Sequence, residues 1–195
     1  MNKFINKATL ITYSAFLLLY LLDQLSKQMI INNFPITIDI VKQAYSDSPP
    51  YYVFPYFYLK HVVNFGAAFS IFYGKVLPLI LIVSTIVTAL IVYERKTSGN
   101  RPALLSVSFG MIIAGALGNL TDRIRLGYVT DFFAIMKDNK ILWPVFNVAD
   151  MSVNIGVGLF ILYIFLYESK EKKTELPPEE KGNNPAEESN IHPAE

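Results

Sequence analysis

Apolar and polar positions fall in blocks along this chain, and four of the apolar blocks are long enough to cross a bilayer. Lys3 and Lys7 precede ATLITYSAFLLLYLL, residues 8 to 22, which opens like a secretory signal. The run continues through DQLSKQMII with no small-x-small cleavage site, so it predicts an uncleaved first span ending near Ile31. Lys75 and Glu94 bracket eighteen uncharged residues, the second span, and Arg101 and Asp122 bracket twenty more, the third. Trp143 and Pro144 mark the expected entry to the fourth, which runs to about Tyr167 with Asp150 as its only charge. In the third span Gly110, Ala114, Gly115 and Gly118 recur at roughly helical spacing, which permits close helix approach.

Between the first two spans the pattern changes period. Ile36, Ile38 and Ile40 alternate with Thr37 and Asp39, and residues 51 to 65 are dense in Tyr, Phe and Val. Both stretches read as short strands interrupted by Pro49, Pro50 and Pro55, with aromatics suited to the headgroup layer. They predict a small extracytoplasmic β-sheet within residues 32–75. From Glu168 the chain becomes charged and proline-bearing, with too little apolar surface to form a core. The expected organisation is a membrane domain over residues 1–168 and a disordered cytoplasmic tail over 169–195. As a fold class this is an all-α integral membrane protein of four transmembrane helices carrying that small sheet.

Composition sharpens the picture. The chain is 52% hydrophobic and only 17% charged, which favours membrane residence. With no cysteine there is no disulfide, thiolate metal site or cysteine nucleophile. The two histidines, His61 and His192, do not support a multi-histidine metal site or a Ser-His-Asp triad. Carboxylates are left to carry any hydrolytic chemistry. A net charge of +1 gives no footprint for a nucleic-acid partner.

Four antiparallel spans bring the end of the first, the start of the second, the end of the third and the start of the fourth to one side. Asp23, Lys27, Asn64, the 119–131 stretch and the 147–150 stretch all fall there. The opposite side receives the short connection ERKTSGNR, whose dense cations mark it as cytoplasmic. Both termini are then cytoplasmic, and the polar residues and the loop around Pro49 face outward.

Charges in or beside apolar spans are expensive and suggest a site. Asp131 and Asp150 form the candidate working pair, because two close carboxylates share a proton and supply both a base and an acid. The bland alternative makes one a helix cap and the other part of a surface turn. Asn147, Asp150 and Asn154 would share a helical face, either as part of the site or as glue between helices. Asp122 with Arg123, and Asp23 with Lys27, read as structural ion pairs. Asn64 opens NFGAAFS, in which Gly66 permits close approach of a backbone or lipid chain. His61 reads as a packed or solvated histidine.

LDQLSK from Leu22, NFGAAFS from Asn64, GNLTDRIRLGYVTDFF from Gly118 and FNVAD from Phe146 follow one another on the four spans. In that order they resemble the signature blocks of the bacterial lipoprotein signal peptidases, or signal peptidase II, from about Tyr13 to Leu166. The resemblance implies an intramembrane aspartic endopeptidase of the inner membrane. It would cut the signal peptide from prolipoproteins just before the diacylglyceryl-modified cysteine, with no cofactor. Asp131 and Asp150 fall on the family's catalytic positions. Asn64, Gly66, Asn119, Arg123, Asn147 and Asn154 fall among substrate-binding and support positions, and Asp23, Lys27 and Asp122 on stabilising ones. The expected partners are lipidated prolipoproteins and membrane lipids, and the expected assembly is a monomer. The segment before Asn64, containing SDSPPYYVFPYFY, and the tail are both longer than the family pattern.

Two other classes compete with this reading. A proton-coupled transporter also uses membrane carboxylates, but it calls for a repeat and an inward acidic site, and neither is visible here. A non-catalytic scaffold would leave the aspartates merely structural.

Overall fold

The structure, a computed structural model, describes residues 6–46, 48–66, 73–97, 99 and 101–174, with side chains as far as Tyr167. The expected tail beyond 174 lies outside the described residues. Four helices are long and apolar enough to cross a membrane: α1 (Lys7–Asn33), α2 (Val76–Thr97), α3 (Ala103–Leu126) and α4 (Val148–Thr174), the last apolar as far as Tyr167. The first three lie where the apolar runs place them, and the fourth begins later than expected, at Val148.

The N-terminus of α1 is capped by Asn6, whose side chain accepts from Thr9 N–H at 2.8 Å. α3 ends at Gly127, which takes the left-handed conformation (φ 81°) and closes the helix by donating to the Arg123 carbonyl. α3 is the most buried of the four, and its small residues let neighbours approach. A Cβ on Gly115 would collide with the Ala149 carbonyl and Val153 of α4, and one on Gly118 would lie 2.6 Å from Asp23 Oδ2 of α1.

Two antiparallel sheets accompany the helices. β1 (Ile38–Asp39) pairs with β2 (Ala44–Tyr45), and a four-stranded sheet runs in the order β3 (Tyr51–Phe54), β4 (Phe57–Asn64), β5 (Val129–Lys137), β6 (Lys140–Phe146). The chain is therefore mostly helical rather than all-α. Strands in the 32–75 region match the alternating pattern, but half of the larger sheet is a hairpin between α3 and α4 that the pattern did not predict. Trp143 and Pro144 belong to β6 rather than to the entry of the last helix. The β5–β6 turn is Asp138–Asn139, both at positive φ (49° and 60°), as a two-residue hairpin requires.

This sheet determines where two functional groups point. Asp131 lies on β5 opposite Val62, and Asn64 closes β4 opposite Val129. His61 is buried on β4, with Nδ1 2.8 Å from the Phe34 carbonyl at the end of α1. Burial pushes its pKa down, so it is a packed, neutral histidine. Ser48 bonds the His61 backbone through Oγ and is buried with it.

Candidate active site

At the site end of the bundle a cavity of about 920 Å³ is bounded by β4, β5 and β6 and by α2, α3 and α4. Asp131 and Asp150 both line it, with Asn64, Asn119, Arg123 and Asn154. Apolar side chains such as Val83, Ile86, Ile112 and Val153 supply the rest of its deeper wall.

Three asparagines present donors to the carboxylates, and each is oriented by a bond to its own amide oxygen. Asn147 Oδ1 accepts from Asp150 N–H at 2.9 Å, which leaves Nδ2 to donate to Asp131 Oδ1 at 2.7 Å. Asn64 Oδ1 accepts from Gly66 N–H at 2.9 Å, and its Nδ2 donates to Asp131 Oδ2 at 3.1 Å. Asn119 Oδ1 accepts from Lys27 Nζ at 2.9 Å, and its Nδ2 donates to Asp150 Oδ1 at 2.8 Å. Asparagine suits these positions because an aspartate would add another charge and offer no amide donor. Asn147 also caps α4, since its backbone N–H donates to Asp150 Oδ2 at 3.1 Å in a reciprocal capping box.

Behind this layer lies a second ionic group. Lys27 Nζ is 2.9 Å from Asp23 Oδ2 and 3.0 Å from Asp122 Oδ2, all nearly fully buried. Asp23 Oδ1 accepts from Ala149 N–H at 2.9 Å, and Asp122 Oδ2 from Thr130 N–H at 3.2 Å. Asp23 therefore pairs with Lys27 as their spacing predicts, but the expected Asp122–Arg123 pair does not form. Adjacent helix residues do not face each other. Asp122 turns to Lys27, while Arg123 donates to the Gly66 carbonyl at 2.8 Å and the Asn119 carbonyl at 3.2 Å.

Four carboxylates, Asp23, Asp122, Asp131 and Asp150, thus share two cations, Lys27 and Arg123. Burial raises the Asp131 carboxyl well above the usual carboxylate range, and the nearby Asp150 raises it further against the donors of Asn64 and Asn147. Of the helical stripe, Asn147 and Asp150 join the network. Asn154 lines the cavity instead, and its side chain makes no hydrogen bond among the described residues.

One polar cluster went unread in the sequence. At the far end, buried Arg101 donates to Glu94 Oε1 at 2.7 Å, to Thr12 Oγ1 at 2.6 Å and to Ser106 Oγ at 3.0 Å. In the sequence both charges do no more than bracket the second and third spans. Their places flanking one short connection were the available signal.

Four bilayer-length helices and two carboxylates cradled by amides define a multi-pass membrane protein with a buried polar centre at one end of its bundle. A family model described as signal peptidase (SPase) II matches residues 15–166. The chain belongs to this family of signal peptidases. It is 39% identical over 158 residues to the lipoprotein signal peptidase of Halothermothrix orenii, covering 80% of this chain and 96% of the relative. It is 32% identical over 164 residues to that of Shouchella clausii, covering 83% and 97%. A solved structure described as a bacterial membrane enzyme superposes with a TM-score of 0.68 at 30% identity, covering 89% of this chain and 96% of that one.

Proposed function

We propose that this signal peptidase, which removes signal peptides from lipoproteins, is an aspartic endopeptidase working through Asp131 and Asp150. The observation that carries the reading is the dyad's cradle, in which Asn147 holds Asp131 while exchanging two bonds with Asp150. Burial and the neighbouring Asp150 raise the Asp131 carboxyl well above the usual range, which suits a pair of carboxylates that shares one proton. A water between the carboxylates loses its proton to the ionised one and attacks the scissile carbonyl, while the protonated one donates to the carbonyl oxygen. Breakdown of the tetrahedral species returns the proton to the leaving amine. Asn64, Asn119 and Asn147 hold the carboxylates in register, and Arg123 ties α3 to the strand-end turn at Gly66.

In this reading the substrate is a diacylglyceryl-modified precursor cut just before its lipidated cysteine, and the apolar wall of the cavity receives signal peptide and acyl chains. The sheet and cavity face outward from the inner membrane, both termini are cytoplasmic, and the chain acts as a monomer among lipids. Residues 1–168 form the peptidase domain and 169–195 the tail. Incubating purified protein with a lipidated precursor and weighing the products tests the reaction. Asp131→Asn or Asp150→Asn should stay folded yet cleave at least about a thousandfold more slowly, a barrier increase of about 4 kcal/mol. Near-parental cleavage by either variant would refute the mechanism.

A further inference from the structure

We infer that Asn154 reads the lipid of the substrate, its side-chain amide donating to an ester carbonyl of the diacylglyceryl group. The inference rests on the peptidase reading above. Asn64, Asn119 and Asn147 each have their amide oxygen held and their nitrogen donated to a carboxylate. Asn154 has neither. It is exposed and lines the cavity, and its side chain makes no hydrogen bond among the described residues, so it does not serve as glue between helices.

Its position indicates what it meets. Asp150, Val153 and Asn154 line the cavity from one face of α4, and Asn154 lies one turn beyond Asp150, about 6 Å further along the helix axis. Apart from Asn119, Arg123, Asp150 and Asn154, the residues with which α2, α3 and α4 line the cavity are apolar or glycine, Ile86, Ile112 and Val153 among them. A carboxamide there loses water without replacement unless the occupant brings a polar partner. With the peptide bond before the lipidated cysteine at the carboxylates, the ester groups follow a few bonds along the thioether arm, and the acyl chains continue into the apolar wall. Ester carbonyls accept and do not donate, so the group they need is an N–H, which Asn154 Nδ2 supplies.

The test uses the full chain in detergent and two lipidated precursor peptides identical except that the chains are joined by ester or by ether linkages. The parent should cleave the diester peptide with kcat/KM about tenfold above the diether, mostly through KM, as one neutral hydrogen bond allows. Asn154→Leu should remove that preference by lowering kcat/KM for the diester peptide about tenfold more than for the diether, and Asn154→Gln should restore part of it. An equal loss on both peptides would make Asn154 a reader of the signal peptide or of cavity shape and overturn the inference. So would an undiminished preference in Asn154→Leu, or no preference in the parent. If the parent cleaves neither peptide, the peptidase reading itself fails.

Discussion

Lys27 Nζ donates to Asn119 Oδ1 at 2.9 Å and Asn147 Nδ2 donates to the same oxygen at 3.0 Å, and together they fix which way the Asn119 amide faces. With its oxygen held, Asn119 offers its NH₂ to Asp150. Lys27→Met should strand Asp23 and Asp122 as buried unpaired carboxylates and leave the Asn119 oxygen held by Asn147 alone. The expected cost is about 3 kcal/mol of stability, with cleavage at least about tenfold slower where the variant remains folded. Thermal melts in detergent and initial rates check this, and a parental melt would show that Lys27 is not the counter-ion.

The raised Asp131 pKa carries a sign. Its folded value lies above the ordinary 3.8, so the folded state holds the proton more tightly than the unfolded state between the two values. This contribution to stability is full below about pH 3.8 and is lost as pH rises through the folded value. Asp131→Asn abolishes the titration, so the variant should gain on the parent in melting temperature as pH climbs from 4 towards 8. Parental cleavage should fall on the alkaline side as the pair's proton leaves. Parallel melting curves across that range would contradict the assignment.

Arg101 and Glu94 lie at the end of the bundle away from the carboxylate pair. Arg101→Met should leave Glu94 buried without a cation and cost about 3 kcal/mol. Below the melting transition kcat/KM should match the parent. A selective loss of activity in a protein of unchanged stability would assign this cluster a role at the site.

Topology is checked by cysteine labelling, for which the natural chain offers a background free of thiols. Ser48, buried against His61, is a poor target, whereas Val41 is 93% exposed. Val41→Cys should react with an impermeant reagent in intact cells. Labelling only after lysis would invert the proposed orientation.

The spans were legible because runs of eighteen or more apolar residues have few other uses. Asp131 and Asp150 stood out because their neighbours were apolar and no thiol or histidine competed. The β5–β6 hairpin was not legible. Val129, Thr130, Asp131 and Phe132 are all buried in turn, so the strand shows no alternation, and its one clear signal was Asp138–Asn139 between two lysines. The true partner of Asp122 was hidden for a different reason. Lys27 lies on another helix, and sequence spacing carries no information about which helix faces which.

The bond from Ala149 N–H to Asp23 spans 126 residues, joining the first helix to the start of the last. A nascent chain emerges N-terminus first, so Asp23 is made long before its partner on α4 exists. A ribosome-bound chain that has reached Asp131 still lacks Asn147, Ala149 and Asp150. The buried polar network is therefore completed in one late step of biosynthesis, when the final helix enters the bundle and brings Asn147, Ala149 and Asp150 to partners already made.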